Sequence, residues 1–233
     1  MIINTRPIDL GKKTNFLLQK SKCRFIHLPL TKIIKTEPSA KALQNVNNLS
    51  NYDLLIFTSQ SSVIHGAKFC KEFLFNNRAI PILAIGLATQ ESLQKVGLSS
   101  SIPSTFDSAG LANTIKEKDC KKCLVFCGEK SPRILNLTDV DIDTFPCYES
   151  NDEASIDLSK IKNENKLVVL IYTQQSLEVL MRELPIDKSQ KIILIVASKR
   201  LEKLSIEYGF RNSFLAESPH DKDMVEAACK KLN

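Results

Sequence analysis

Leu55-Ile56-Phe57-Thr58-Ser59-Gln60-Ser61 and Leu170-Ile171-Tyr172-Thr173-Gln174-Gln175-Ser176 are two versions of one phrase. In each, an apolar run of strand length meets hydroxyl and amide side chains able to cap a helix, the pattern of a β-strand feeding an α-helix. A second strand-to-helix phrase follows each copy. The first is Ile82 to Leu98, with Ile85-Gly86-Leu87-Ala88-Thr89 closing on Gly97; the second is Leu194 to Phe210, with Ala197-Ser198-Lys199-Arg200-Leu201 closing on Gly209. Gly86 to Gly97 and Ser198 to Gly209 are equal in length, so the two halves read as duplicates.

Outward from these phrases, short β-branched runs alternate with helical-period segments: Ile2-Ile3, a polar helix near 8 to 21, Arg24 to Leu28, Leu54 to Phe57, Ile80 to Ile85, Lys122 to Phe126, Val168 to Tyr172 and Ile192 to Val196. Alternating β and α units imply an α/β fold with parallel sheets flanked by helices. The first copy has a long segment ahead of it and the second only a short tail behind. Joining residues 1 to 30 to 153 to 233 makes one domain similar in size to a second over 47 to 139, with connections at 31 to 46 and 140 to 152. Such a doubly connected pair is expected to form a clamp with a cleft.

The chain has 233 residues, 43% hydrophobic and 25% charged, enough for two small cores. Its longest apolar runs, Leu167 to Tyr172 and Ile192 to Ala197, fall well short of the roughly 20 residues that span a bilayer. The opening Met-Ile-Ile-Asn-Thr-Arg-Pro lacks a secretory pattern. Seven cysteines, an odd and scattered set, fit thiols in a reducing compartment, so a cytoplasmic location is expected. The net charge of +6 is spread among acidic residues and forms no tract, which excludes a typical nucleic-acid surface but suits a small polyanionic substrate.

Gly11, Gly66, Gly86, Gly97, Gly110, Gly128 and Gly209 build neither a dinucleotide loop nor a P-loop, so nucleotide cofactors are not expected. Cys120-Lys121-Lys122-Cys123 with Cys127 has the outline of a metal motif. However, Cys123 and Cys127 sit four apart on an apolar strand, which turns both to one face, and His27, His65 and His220 add no ligand spacing; these cysteines read as structural. No nucleophile elbow is present. Four strand-to-helix turns remain: Thr58-Ser59, Gly86 to Thr89, Thr173 to Ser176 and Ser198 to Arg200. Each presents backbone N–H groups at a strand's carboxyl end, where α/β sheets bind anionic ligands. The residues alone thus lead to a duplicated anion-binding protein, with catalysis or simple binding both open.

Over nearly its whole length the chain resembles the uroporphyrinogen-III synthase family. The matching segments are Asn4-Thr5-Arg6-Pro7, Ile56-Phe57-Thr58-Ser59, Ile85-Gly86-Leu87-Ala88-Thr89, Phe106-Asp107-Ser108-Ala109-Gly110-Leu111, Cys127-Gly128 with Arg133, Cys147-Tyr148, Ser198-Lys199-Arg200-Leu201 ending on Tyr208-Gly209-Phe210, and Ala216-Glu217-Ser218-Pro219. The resemblance implies two α/β domains joined by a two-stranded ladder. It also implies a monomeric lyase of porphyrin and heme biosynthesis that cyclises hydroxymethylbilane to uroporphyrinogen III, inverting ring D through a spiro intermediate and losing water. No metal, organic cofactor, nucleic acid or membrane is implied.

By the same resemblance Tyr148 is the group that assists loss of the substrate hydroxyl, and Thr89 hydrogen-bonds nearby. Thr58, Ser59, Gly86 and Ser108 would contact substrate from one domain, Thr173, Ser198 and Arg200 from the other, with Arg6 pairing a substrate carboxylate. Two departures stand out: Cys127 to Arg133 is one residue longer than the family spacing and carries Pro132, leaving Arg133 without a role, and Leu201 stands where the first half has Thr89. The competing reading is a non-catalytic two-lobed binding protein for a small polycarboxylate.

Overall fold

The computed structural model describes residues 1–76, 80–130, 132–153, 157–161, 164–183 and 192–232. In chain order its elements begin with β1 (Ile2–Asn4), α1 (Ile8–Lys20), β2 (Phe25–His27), β3 (Thr31–Lys35) and α2 (Ala40–Asn47). β4 (Leu54–Phe57), α3 (Gln60–Gly66), α4 (Lys71–Asn76), β5 (Ile82–Ala84), α5 (Leu87–Lys95), α6 (Ser108–Glu117), β6 (Lys122–Gly128) and β7 (Asp141–Asp152) follow. β8 (Leu167–Ile171), α7 (Gln174–Glu183), β9 (Ile192–Val196), α8 (Lys199–Glu207), β10 (Asn212–Leu215) and α9 (Asp221–Leu232) complete the chain.

Contacts divide these elements into a terminal unit, Met1–Lys32 with Asn151–Asn233, and a unit central in sequence, Ile33–Ser150. Segments 31–46 and 140–152, expected as linkers, contribute β3, α2 and β7; β3 and β7 are strands of the second sheet, and Ala42 and Val46 of α2 join its core.

The terminal sheet runs β10-β9-β8-β1-β2 with every pair parallel. One face carries Ile3, Val169, Ile171, Leu194 and Val196 against Leu177 and Leu180 of α7 and Leu201 of α8. The other carries Ile2, Val168, Leu170 and Ile195 against Leu18 of α1 and Met224, Val225 and Ala228 of α9. The central sheet runs β3-β7-β6-β4-β5, with β5, β4, β6 and β7 parallel. Leu55, Phe57, Leu124, Phe126 and Phe145 pack on Val63 of α3 and Leu93 of α5, and Leu54, Ile56, Cys123, Val125 and Cys127 pack on Leu111 and Ile115 of α6. Helices on both faces explain why the strands are almost unbroken apolar runs. Cys123 and Cys127 do share one face, as their spacing requires.

The duplication is visible in the caps. Gly97 and Gly209 have φ of 82° and 87°, and each ends its helix with the same pair of bonds, Gly97 N to Gln94 O and Leu98 N to Leu93 O against Gly209 N to Ile206 O and Phe210 N to Ser205 O. The register of the first phrase needs correcting by one residue. Ser59 accepts from Ser62 N, and Thr173 accepts from Ser176 N, so Ser59 matches Thr173, and Phe57 matches Ile171. The sheet faces demand the same, because Leu55 and Phe57 face α3 as Val169 and Ile171 face α7. A one-residue slip would turn each strand's side chains to the opposite face.

The expectation of seven thiols is also corrected. α1 and α9 pack side by side on one face of the terminal sheet, which brings Cys23 and Cys229 together with Cα atoms 6.4 Å apart, and they form a disulfide. Cys70, Cys120, Cys123, Cys127 and Cys147 are free and buried.

Candidate active site

In the central sheet the chain leaves β4 for β5 on one side and then crosses to β6 on the other. Where strand order reverses in this way, diverging connections leave a crevice at the carboxyl ends of the strands. A cavity of about 440 Å³ lies there, lined by Thr58 after β4, Ile85 after β5, Ser108 and Leu111 of α6, Cys127 and Gly128 of β6, and Tyr148 of β7. Lys130, Arg133, Glu129 and Glu149 complete its charged wall. Neither Lys130 nor Arg133 forms an ion pair among the described residues. Ser131, between them, lies outside those residues.

Tyr148 reaches this cavity through a bulge. Cys127 pairs with Pro146, but the next residue, Gly128, pairs with Tyr148, so Cys147 is an extra residue in β7. Pro146 has no N–H to give a ladder, which inside a sheet favours such an irregularity. The Cys147 thiol turns into the core and donates to the carbonyl of Cys127 at 3.4 Å, while the half-buried Tyr148 packs on the edge of that same core and lies against Gly128. A Cβ at Gly128 would stand 3.1 Å from Tyr148 Cζ, so the missing side chain is the seat of the ring.

The Tyr148 hydroxyl accepts a hydrogen bond from Ser59 Oγ at 3.0 Å. Burial pushes the phenol above its ordinary value, and the Ser59 bond pulls it partly back. Thr58 donates to Phe126 O at 3.1 Å, and Ser108 is the first residue of α6, whose N-cap Asp107 accepts from Gly110 N at 2.8 Å. Thr89 and Gly86 are placed differently. Thr89 is buried under the first turn of α5 and is not on the cavity wall, in the position that Leu201 takes in α8. Gly86 packs against Phe106, where a Cβ would come within 3.2 Å of Phe106 Cβ.

In the terminal unit Thr173 caps α7 and Ser198 caps α8, at the ends of the adjacent strands β8 and β9. Arg200 Nη1 donates to Gln174 Oε1 at 2.5 Å, tying those two helix starts together. Arg6 is not with them. Its guanidinium is buried, 2.5 Å from Asp221 Oδ1 and stacked 4.4 Å over the Tyr172 ring, and Thr14 and Tyr172 donate to the same carboxylate oxygen. The expected pairing of Arg6 with a substrate carboxylate therefore gives way to an internal one.

The corrected register gives this network its meaning. Thr58, Cys127 and Ser108 correspond to Tyr172, Arg6 and Asp221: the residue before the N-cap, the residue level with it in or just past the neighbouring strand, and the first residue of the covering helix. At the same three positions one crevice holds small side chains around a cavity, and the other holds an interlocked ion pair and ring. Sequence reasoning missed Lys130 and the contribution of Cys127. The available signals were the apolar strand ending at Cys127-Gly128 and the proline one residue before Cys147-Tyr148.

A family model described as uroporphyrinogen-III synthase HemD matches residues 13–226. The chain belongs to the uroporphyrinogen-III synthase family. A mutant uroporphyrinogen III synthase from Thermus thermophilus superposes with a TM-score of 0.64 at 13% identity, covering 99% of this chain and 98% of that one. The uroporphyrinogen-III synthetase of Helicobacter pylori gives a TM-score of 0.61 at 15% identity, with 99% and 98% covered. At such identities the two structures establish a shared fold of two helix-flanked, largely parallel sheets. Among curated proteins, none matches the sequence.

Proposed function

We propose that the protein is a uroporphyrinogen-III synthase acting on hydroxymethylbilane, with the Tyr148 cavity as its reaction site. The family match over residues 13–226 carries the assignment. The cavity supplies a phenol, two cations and the start of α6, a set suited to a carboxylate-rich substrate with a departing hydroxyl. In this reading the C–O bond of the hydroxymethyl group breaks as Tyr148 passes its proton to the leaving oxygen, and water departs. The pyrrole carbon that later closes the macrocycle releases a proton, which restores the phenol. Lys130 and Arg133 hold substrate carboxylates, with Thr58 and Ser108 beside them; in the terminal unit Thr173, Ser198 and Arg200 supply further carboxylate contacts, and Thr89 supports α5. The enzyme works as a cytoplasmic monomer without an added metal or organic cofactor.

Incubation with freshly prepared hydroxymethylbilane tests the assignment. The expected product is the type III isomer, undiminished after dialysis against a chelator; type I alone, the spontaneous product, would refute it. Binding of uroporphyrinogen without isomer-specific turnover would move the protein to the non-catalytic reading. Tyr148→Phe should remain folded and lose at least about a hundredfold in kcat, the low end of what a general acid contributes. Unchanged turnover would remove Tyr148 from the reaction.

A further inference from the structure

We propose that Ser59 is a positioning residue that directs the Tyr148 proton into the cavity. This rests on the reading of Tyr148 as the group facing the departing hydroxyl. Ser59 is held from both sides at the start of α3. Its Oγ accepts from Ser62 N at 2.9 Å, while Ser62 Oγ accepts from Ser59 N at 3.2 Å and donates to Ser59 O at 2.7 Å. The same Ser59 oxygen that accepts from this backbone N–H carries one proton, which it donates to Tyr148 Oη, 3.0 Å away.

A phenol O–H prefers the ring plane, which leaves it two orientations. The Tyr148 ring is itself fixed, seated on Gly128, with the Tyr148 carbonyl accepting from Glu129 N at 2.9 Å. Ser59 occupies one side of the oxygen as donor, so the Tyr148 proton takes the other. When that proton passes to the leaving oxygen and the C–O bond breaks, Ser59 keeps its own proton, and its hydrogen bond strengthens on the phenolate. Burial works against the phenolate at this site, and the Ser59 bond is the first opposing influence.

Helix capping and proton direction are separable by substitution. Ser59→Asp keeps an N-cap acceptor for Ser62 N but can only accept from Tyr148, reversing the bond. Ser59→Thr keeps both functions. The expected result is that Ser59→Thr retains most of kcat, while Ser59→Asp loses at least about tenfold in kcat with little change in KM or melting temperature. On substrate-free protein carrying 13C-labelled tyrosine, the Tyr148 Cζ titration should move to higher pH in Ser59→Asp and not in Ser59→Thr. Ser59→Ala, which removes the donor without adding an acceptor, should also move it upward, and serves if the aspartate variant does not fold. Equal kcat and equal Tyr148 titration in the threonine and aspartate variants would overturn the proposal. Because the titration needs no substrate, it decides the Ser59–Tyr148 link even if the isomer assay rejects the reaction.

Discussion

Asp221 has almost no exposure, at 1%, and spends one carboxylate oxygen on Arg6, Thr14 and Tyr172. A buried carboxylate of this kind is tolerated only because all three partners compensate its lost hydration. Arg6→Ala should therefore cost about 3–5 kcal/mol of stability in urea unfolding, with KM of the folded protein little changed; a raised KM at full stability would return Arg6 to the substrate. Lys130 and Arg133 are exposed and should behave in the opposite way. Replacing either by Ala should leave melting unaffected and raise KM by about fivefold, as expected for a lost contact worth about 1 kcal/mol. That difference should shrink at high salt, which screens exposed charges. Tyr148 is legible in the sequence through its neighbours, whereas the role of Arg6 is not, because its partner lies 215 positions away.

At the scale of single elements, local chemistry accounts for most boundaries. Gly97 and Gly209 take the left-handed backbone at the ends of α5 and α8. Replacing Gly209 by Ala, where nothing stands within 4 Å of the new Cβ, should cost about 1 kcal/mol from backbone conformation alone. Gly97→Ala should cost more, because its Cβ would meet Phe75 Cζ at 3.1 Å. Thermal melts of the two variants make the comparison directly. The start of β6 is organised by Asp53, which accepts from Lys122 N at 2.9 Å and Lys121 N at 2.8 Å; these two bonds hold its carboxyl below the ordinary carboxylate range. Its folded value being the lower one, its stabilisation is present above the unfolded carboxylate value near about 4 and is lost as pH falls through the folded value. Asp53→Asn should consequently make stability less dependent on pH in that acid window, measured by chemical denaturation across it.

Over the whole molecule, one covalent link joins positions 206 residues apart, closing the discontinuous terminal unit at Cys23 and Cys229. For a loop of 206 residues the chain-entropy description gives about 5 kcal/mol, as an upper figure. Thiol counting on unfolded, unreduced protein should find five groups and seven after reduction. Reduction, or Cys229→Ser, should lower the melting temperature; seven thiols before reduction would show that the pair is not joined in solution.

Periodicity, caps and closing glycines operate within a few residues, so the sequence by itself determined the alternating α/β elements, their parallel arrangement and the duplication. The register of that duplication was a different matter, since Thr58-Ser59-Gln60 can be laid on Thr173-Gln174-Gln175 or on Tyr172-Thr173-Gln174, and only the sheet faces choose. Tertiary structure likewise decided which crevice is open: Thr58, Cys127 and Ser108 come from three separate stretches of the chain, as do Tyr172, Arg6 and Asp221. Whether three such side chains leave a cavity or lock together depends on volume and charge brought to one point from distant positions. The bond between Ser59 and Tyr148, 89 residues apart, is of the same kind.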